Sequence, residues 1–146
     1  MNYKNIDEEV LTSVYKNAHI ALQSISDIIG ATDDKEMKDE LQSEYDGYED
    51  FIGKLSSYMR EIGLEPKDIG MLQKAFMFTS IKMNTLTDDS TSHIAELMIK
   101  GTVMGITELT EILNNHENEL KEKTKSLTKE LLSLEETYEQ QLKKLL

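Results

Sequence analysis

The chain has 146 residues, 30% of them charged, a formal net charge of −12, one proline and no cysteine. That length reads as one domain, residues 1–146, able to bury roughly 70% of its unfolded surface without a staple. The missing cysteines exclude disulfides, thiolate nucleophiles and thiolate metal sites and suit a cytoplasmic location, and the acidic balance argues against nucleic acid, which is bound by clustered bases, and against acidic membranes.

With one proline and seven glycines, few places can stop a helix. They fall at 30–34, 63–66, 87–90 and 114–118. The first helix is expected over 6–29, where Leu11, Val14, Ala18, Leu22, Ile25 and Ile29 recur at three- and four-residue steps. Gly30 ends it, and Asp33 or Asp34 can cap the next helix. That second helix, over 34–62, carries a heptad seam of Leu41, Tyr45, Tyr48, Ile52, Leu55, Met59 and Ile62, the pattern of shallow bundle packing. Gly63 and Pro66 stop it.

A shorter third helix is expected over 67–86, with Ile69, Leu72, Phe76, Thr79, Met83 and Leu86 on one side. The fourth, over 91–113, confines Glu96, Lys100, Thr107, Glu111 and Asn114 to one wedge and is otherwise largely apolar. A helix apolar over most of its circumference belongs in the middle of a structure. The last, over 117–146, sets Leu120, Leu127 and Leu134 seven apart, interleaved with Thr124, Leu131, Tyr138 and Leu145. Its other side, including Lys129, Glu130, Glu135 and Glu136, reads as a solvated face.

Short turns near 30 and 114 make two antiparallel hairpins, and the third helix, running back along the bundle, would join them as a crossover. This plan resembles the ferritin-like superfamily. Residues 43–48 (Ser-Glu-Tyr-Asp-Gly-Tyr), 81–86 (Ile-Lys-Met-Asn-Thr-Leu) and 98–105 (Met-Ile-Lys-Gly-Thr-Val-Met-Gly) are similar to small, functionally unassigned bundle proteins of anaerobic Gram-positive bacteria. The resemblance implies an all-α four-helix bundle with an additional crossover helix.

Ferritin-like carboxylate enzymes hold two metals with a Glu on each of two helices and a Glu-x-x-His on each of the other two. Here Lys16, Ser90 and Leu113 precede the three histidines by three residues, so the signature is missing. The reversed pairs His93/Glu96 and His116/Glu119 sit where capping or solvation explains them. Glu108 lies just outside the polar wedge of its helix, where it would be satisfied by a tyrosine, Tyr45 or Tyr48, or be partly exposed. Glu44 and Glu108, with His93 as the weaker member, are the residues a divalent metal such as iron or manganese would use. Gly101 and Gly105, on one helical face, would let a neighbour approach closely or leave room for a ligand.

No stretch reaches the ~18 apolar residues of a membrane span, and residues 1–10, with Asp7, Glu8 and Glu9, lack the apolar run of a secretory signal. No phosphate loop, nucleophile elbow or calcium loop is present. The sequence therefore reads as a non-enzymatic structural or interaction protein, self-associating as a homodimer or meeting an unknown protein partner. A divalent-metal binder and a small-molecule binder are the alternatives.

Overall fold

A computed structural model describes residues 5–66 and 88–146. Within them lie four α-helices, α1 (Ile6–Ile28), α2 (Lys35–Glu61), α3 (Thr91–His116) and α4 (Glu122–Lys143), with short 3₁₀ turns at Ile29–Ala31 and Glu117–Glu119. No strand occurs among the described residues. The helix expected over 67–86, and the crossover it would make, lie outside them.

Local chemistry sets the helix ends. Asn5 caps α1 by accepting the Glu8 N–H at 3.0 Å, and Asp7, Glu8 and Glu9 fill its first turn, where the helix dipole favours negative charge. Of the two expected caps for α2 it is Asp34 that accepts the Met37 N–H, at 2.8 Å. Helix α2 ends at Gly63, whose φ of +78° is left-handed. The Leu64 N–H reaches back to Met59 O and the Gly63 N–H to Arg60 O, the paired bonds of a Schellman stop, which glycine enters without Cβ strain. Ser90 caps α3 by accepting the His93 N–H. The start of α4 has no cap of its own. Instead Asp7, in the first turn of α1, accepts the Lys121 N–H at 2.9 Å.

That bond places the starts of α1 and α4 at one end of the bundle. Short turns fold α2 back on α1 and α4 back on α3. Along the α2–α4 contact Tyr48 meets Glu135, whereas Lys54, later in α2, meets Glu130, earlier in α4, so these two run antiparallel. Helices α2 and α3 consequently point the same way.

The core is one cluster to which all four helices contribute, among them Leu11, Ile25, Leu41, Phe51, Ile94, Leu109 and Leu131. Burying each such side chain contributes about 1.5–3 kcal/mol. Three expectations about which faces turn inward need correcting. The buried seam of α2 runs Met37, Leu41, Glu44, Tyr48, Phe51, Leu55, Met59. Tyr45 and Ile52 are only half-buried and Ile62 is exposed, so the inward stripe is rotated toward Glu44. Helix α3 is not central: Val103 and Met104 are exposed, Met104 at 57%. Glu135 is not on a solvated face but buried, with 1% exposure.

Candidate functional site

Three polar side chains lie on the inward seams of three helices. On α1, Asn17 follows Val10 and Val14 at steps of four and three and is 6% exposed. On α2, Glu44 falls between Leu41 and Tyr48 at the same steps and is 1% exposed. On α4, Glu135 continues the buried series Thr124, Thr128, Leu131 and leads on to Tyr138 and Leu142. Each takes a position that alternation would assign to an apolar residue.

Asn17 ties α1 to α3. Its Nδ2 donates to the Gly105 carbonyl at 3.1 Å and to Glu108 Oε1 at 2.9 Å. Tyr48 ties α2 to α4, its hydroxyl donating to Glu135 Oε2 at 3.4 Å. The rings of Tyr48 and Tyr138 meet at 5.3 Å between centroids, inclined by 58°, within the range of favourable tilted aromatic pairs. Each of the three seam residues keeps one oxygen without a hydrogen-bond partner among the described residues: Asn17 Oδ1, Glu44 Oε2 and Glu135 Oε1. Buried polar atoms are normally paired, because an unpaired one costs roughly 1–3 kcal/mol.

Glycine 105 draws two of these oxygens together. A methyl group built there would stand 2.5 Å from Glu135 Oε1 and 3.2 Å from Asn17 Oδ1. The two oxygens therefore lie within the sum of those distances of each other. Gly101, one turn earlier, has nothing within 4 Å of such a methyl group. Between these glycines and the seam residues is a cavity of about 480 Å³. Ile20, Ala21 and Ile25 of α1 and Leu97, Met98 and Met104 of α3 supply apolar wall, while Asn17, Glu44, Tyr48, Glu108 and Glu135 supply polar atoms. Lys100, Gly101, Met104 and Glu108 are exposed, so the cavity opens to solvent along α3.

Burial governs the charge state of the two inner acids. Burial foremost, then a hydrogen bond to Glu40 and that neighbour's charge, raises Glu44 from the ordinary carboxyl value to about 10. Glu135 is likewise raised well above it, chiefly by burial; the Tyr48 hydrogen bond opposes this and the Glu108 charge adds to it. Glu44 is thereby held neutral at physiological pH, and at Glu135 the neutral form is favoured. Tyr48 is pushed well above its usual range by burial first, with Glu135 and Glu44 next. Tyr138 rises to about 12 through burial and then the acids of α2, Glu44 first.

Of the residues singled out from the sequence, Glu44 and Glu108 line the same cavity. His93 does not; it sits in the first turn of α3, its N–H bonded to the Ser90 cap. Glu108 is exposed, and its partner is Asn17 in place of either tyrosine. His116 ends α3 instead of beginning a helix and lies 3.6 Å from Glu119. His19 packs its ring 4.4 Å from that of Tyr15, and burial lowers its pKa. No three His, Asp or Glu side chains among the described residues are grouped so as to hold a metal ion. Asn17 and Glu135 escape a reading based on residue type. The signal that finds them is their place on an otherwise unbroken three–four seam. No protein-family model, curated protein or solved structure matches the chain.

Proposed function

We propose that this chain is a non-enzymatic, ferritin-like helical bundle that holds a small ligand between its helices. One observation carries the reading: a cavity of about 480 Å³ whose wall presents three buried oxygens with no partner among the described residues. Ligand sites typically occupy roughly 300–1,000 Å³, mostly apolar with a few convergent polar groups, and this one has that make-up. The parallel course of α2 and α3 supports the ferritin-like plan, in which a crossover connects two hairpins. Of the roles set out from the sequence, ligand binding gains most from the geometry. The divalent-metal role would need Glu44 and Glu108 to find a third ligand, and the described acids and histidines are not grouped to offer one.

Native mass spectrometry of untagged protein, with and without denaturation, tests the reading. A retained small molecule is expected in the wild-type protein and lost in Gly101→Leu, which fills the cavity from a position with open space above it. A fully folded wild-type protein that carries no ligand, and gains no thermal stability from any member of a chemically diverse small-molecule library, would overturn it. Elemental analysis of the same sample decides the metal role.

A further inference from the structure

The cavity wall is lopsided in its hydrogen-bonding capacity. Its buried side-chain donors are already used, Asn17 Nδ2 by Gly105 and Glu108 and the Tyr48 hydroxyl by Glu135, while the exposed Lys100 ammonium pairs with Glu96 at 3.1 Å. The Ser24 and Thr102 hydroxyls donate to the carbonyls of Ile20 and Met98 within their own helices. Asn17 Oδ1 is left over as an acceptor, and the unpartnered Glu135 Oε1 and Glu44 Oε2 become acceptors once their carboxyls ionise. A ligand that brings both donors and positive charge satisfies all three oxygens, because its charge favours the ionised carboxyls. The exposed Glu108 carboxylate beside the mouth favours positive charge.

We propose that the cavity receives a primary ammonium group carried on an apolar body, with Asn17 Oδ1 and Glu135 Oε1, beside Gly105, as its nearest acceptors. This deepens the ligand-binding reading above and rests on it. An alkylammonium presents three donors and no acceptor, the complement of a wall with three free oxygens. Its hydrocarbon part lies against Ile20, Ala21, Ile25, Leu97 and Met98. Gly105 is what lets the head group approach, since any side chain there would meet the Glu135 carboxyl.

Binding is coupled to a proton. The groups facing Glu135 are Tyr48 and Glu44 on α2, Glu108 and Gly105 on α3, Asn17 on α1, and Tyr138 on its own helix. None of these is a base carrying positive charge, and Lys100, on the cavity wall, is exposed and paired with Glu96, so burial in the empty site favours the protonated form of Glu135. An ammonium ion supplies the missing charge, and the Glu135 proton leaves to solvent as the ion pair forms. Affinity then rises with pH, by about tenfold per pH unit while one proton is released.

Calorimetric titration of the whole chain with primary amines from n-butylamine to n-octylamine tests this, alongside the matching 1-alkanols and alkanoates. The amines are expected to bind at least about tenfold more tightly than either counterpart, an advantage equivalent to about 1.4 kcal/mol. Heats measured in buffers of different ionisation enthalpy should report close to one proton released. Glu135→Gln, nearly the same size, should lose the amine preference and the proton release; circular dichroism checks that it folds. Alkanols or alkanoates binding as well as the amines would overturn the ammonium assignment and leave the ligand-binding reading standing. Binding without proton release, or undiminished in Glu135→Gln, would overturn the role of Glu135. Failure of all three series overturns the assignment, and with no retained ligand in the native protein the broader reading falls too.

Discussion

Glycines at two positions one turn apart on α3 face different surroundings, and the difference decides what an added methyl group does. Alanine is favoured over glycine inside a helix by roughly 0.8–1.0 kcal/mol. At Gly101 nothing stands within 4 Å of the new carbon, so Gly101→Ala is expected to stabilise the fold by about that amount in chemical denaturation. At Gly105 the same carbon meets Glu135 Oε1 at 2.5 Å, so the gain is cancelled or reversed. Equal effects at the two sites would mean that the Glu135 carboxyl is not held where the structure places it.

The inner acids make a second prediction at this scale. Burial raises the folded pKa values of Glu44 and Glu135 above their unfolded ones, so the fold favours their neutral forms and unfolding lets them ionise. Stability from this source is complete below the unfolded carboxyl value of 4.5, is lost as pH rises, and levels off near the folded value, about 10 for Glu44. The slope is at most about 1.4 kcal/mol per pH unit for each group. Melting temperature is expected to fall between about pH 5 and pH 8, and to fall less in Glu44→Gln. Parallel profiles for the variant and the wild-type protein would show that Glu44 is ionised in the fold. Only the residue type was legible here. The sequence names Glu44 as an acid of interest, but its charge state depends on neighbours from other helices.

At the scale of the element, helices α2 and α4 show why the existence of a helix is easier to read than its rotation. Both were evident from their spacing, and their observed ends differ from the expected ones by a few residues. The inward faces differ more. On α4, Leu120–Leu127–Leu134 and Leu131–Tyr138 describe neighbouring stripes. The expected Thr124, Leu127, Leu131 and Tyr138 are buried, but Leu134 is only half-buried and the inward face takes in Thr128 and Glu135. The reason lies across the interface. The Tyr138 hydroxyl sits where a side chain on residue 47 of α2 would be, in contact with Gly47. The two helices approach along that line, which turns Glu135 inward with Tyr138, three residues on.

Gly47→Ala should therefore destabilise, by about 1–3 kcal/mol as for other overpacked cores, despite the gain in helix propensity. Replacing Tyr138 by Phe in the same chain removes the nearest atom and should recover part of the loss. The ring carbon Cζ, 3.1 Å from the added methyl group, remains. A double-mutant cycle reads the coupling directly. Additive effects would mean that α2 and α4 do not meet at this pair. Helix α3 carries the opposite lesson: its nearly all-apolar circumference pointed to the centre, yet Val103 and Met104 are exposed. Periodicity reports how much of a helix is apolar, not how many neighbours surround it.

Over the whole molecule the dominant fact is charge. Sixteen Lys and Arg face twenty-eight Asp and Glu, leaving a formal −12, and the middle of α2 concentrates the excess, with Glu40, Asp46, Glu49 and Asp50 around the neutral Glu44 and no base between them. The lysine–acid pairs among the described residues, Lys35–Asp39, Lys54–Glu130, Lys100–Glu96, Lys125–Glu122, Lys129–Glu117 and Lys143–Glu139, are all at least partly exposed. Exposed pairs contribute a median of about 0–1 kcal/mol each, so their attraction does not offset the accumulated repulsion. Two effects of salt then compete. Screening weakens the pairs, which favours unfolding, and weakens the repulsion of the net charge, which favours folding. The imbalance of charge makes the second larger. Raising sodium chloride from about 10 mM to about 1 M contracts the screening length from about 30 Å to about 3 Å, and the melting temperature is expected to rise across that range. The size of the rise should shrink at pH 5, where protonation of surface carboxylates has already lowered the net charge. A melting temperature that falls with salt at neutral pH would mean that the surface pairs outweigh the repulsion, and that charge cooperates with the packed seams in holding the four helices together.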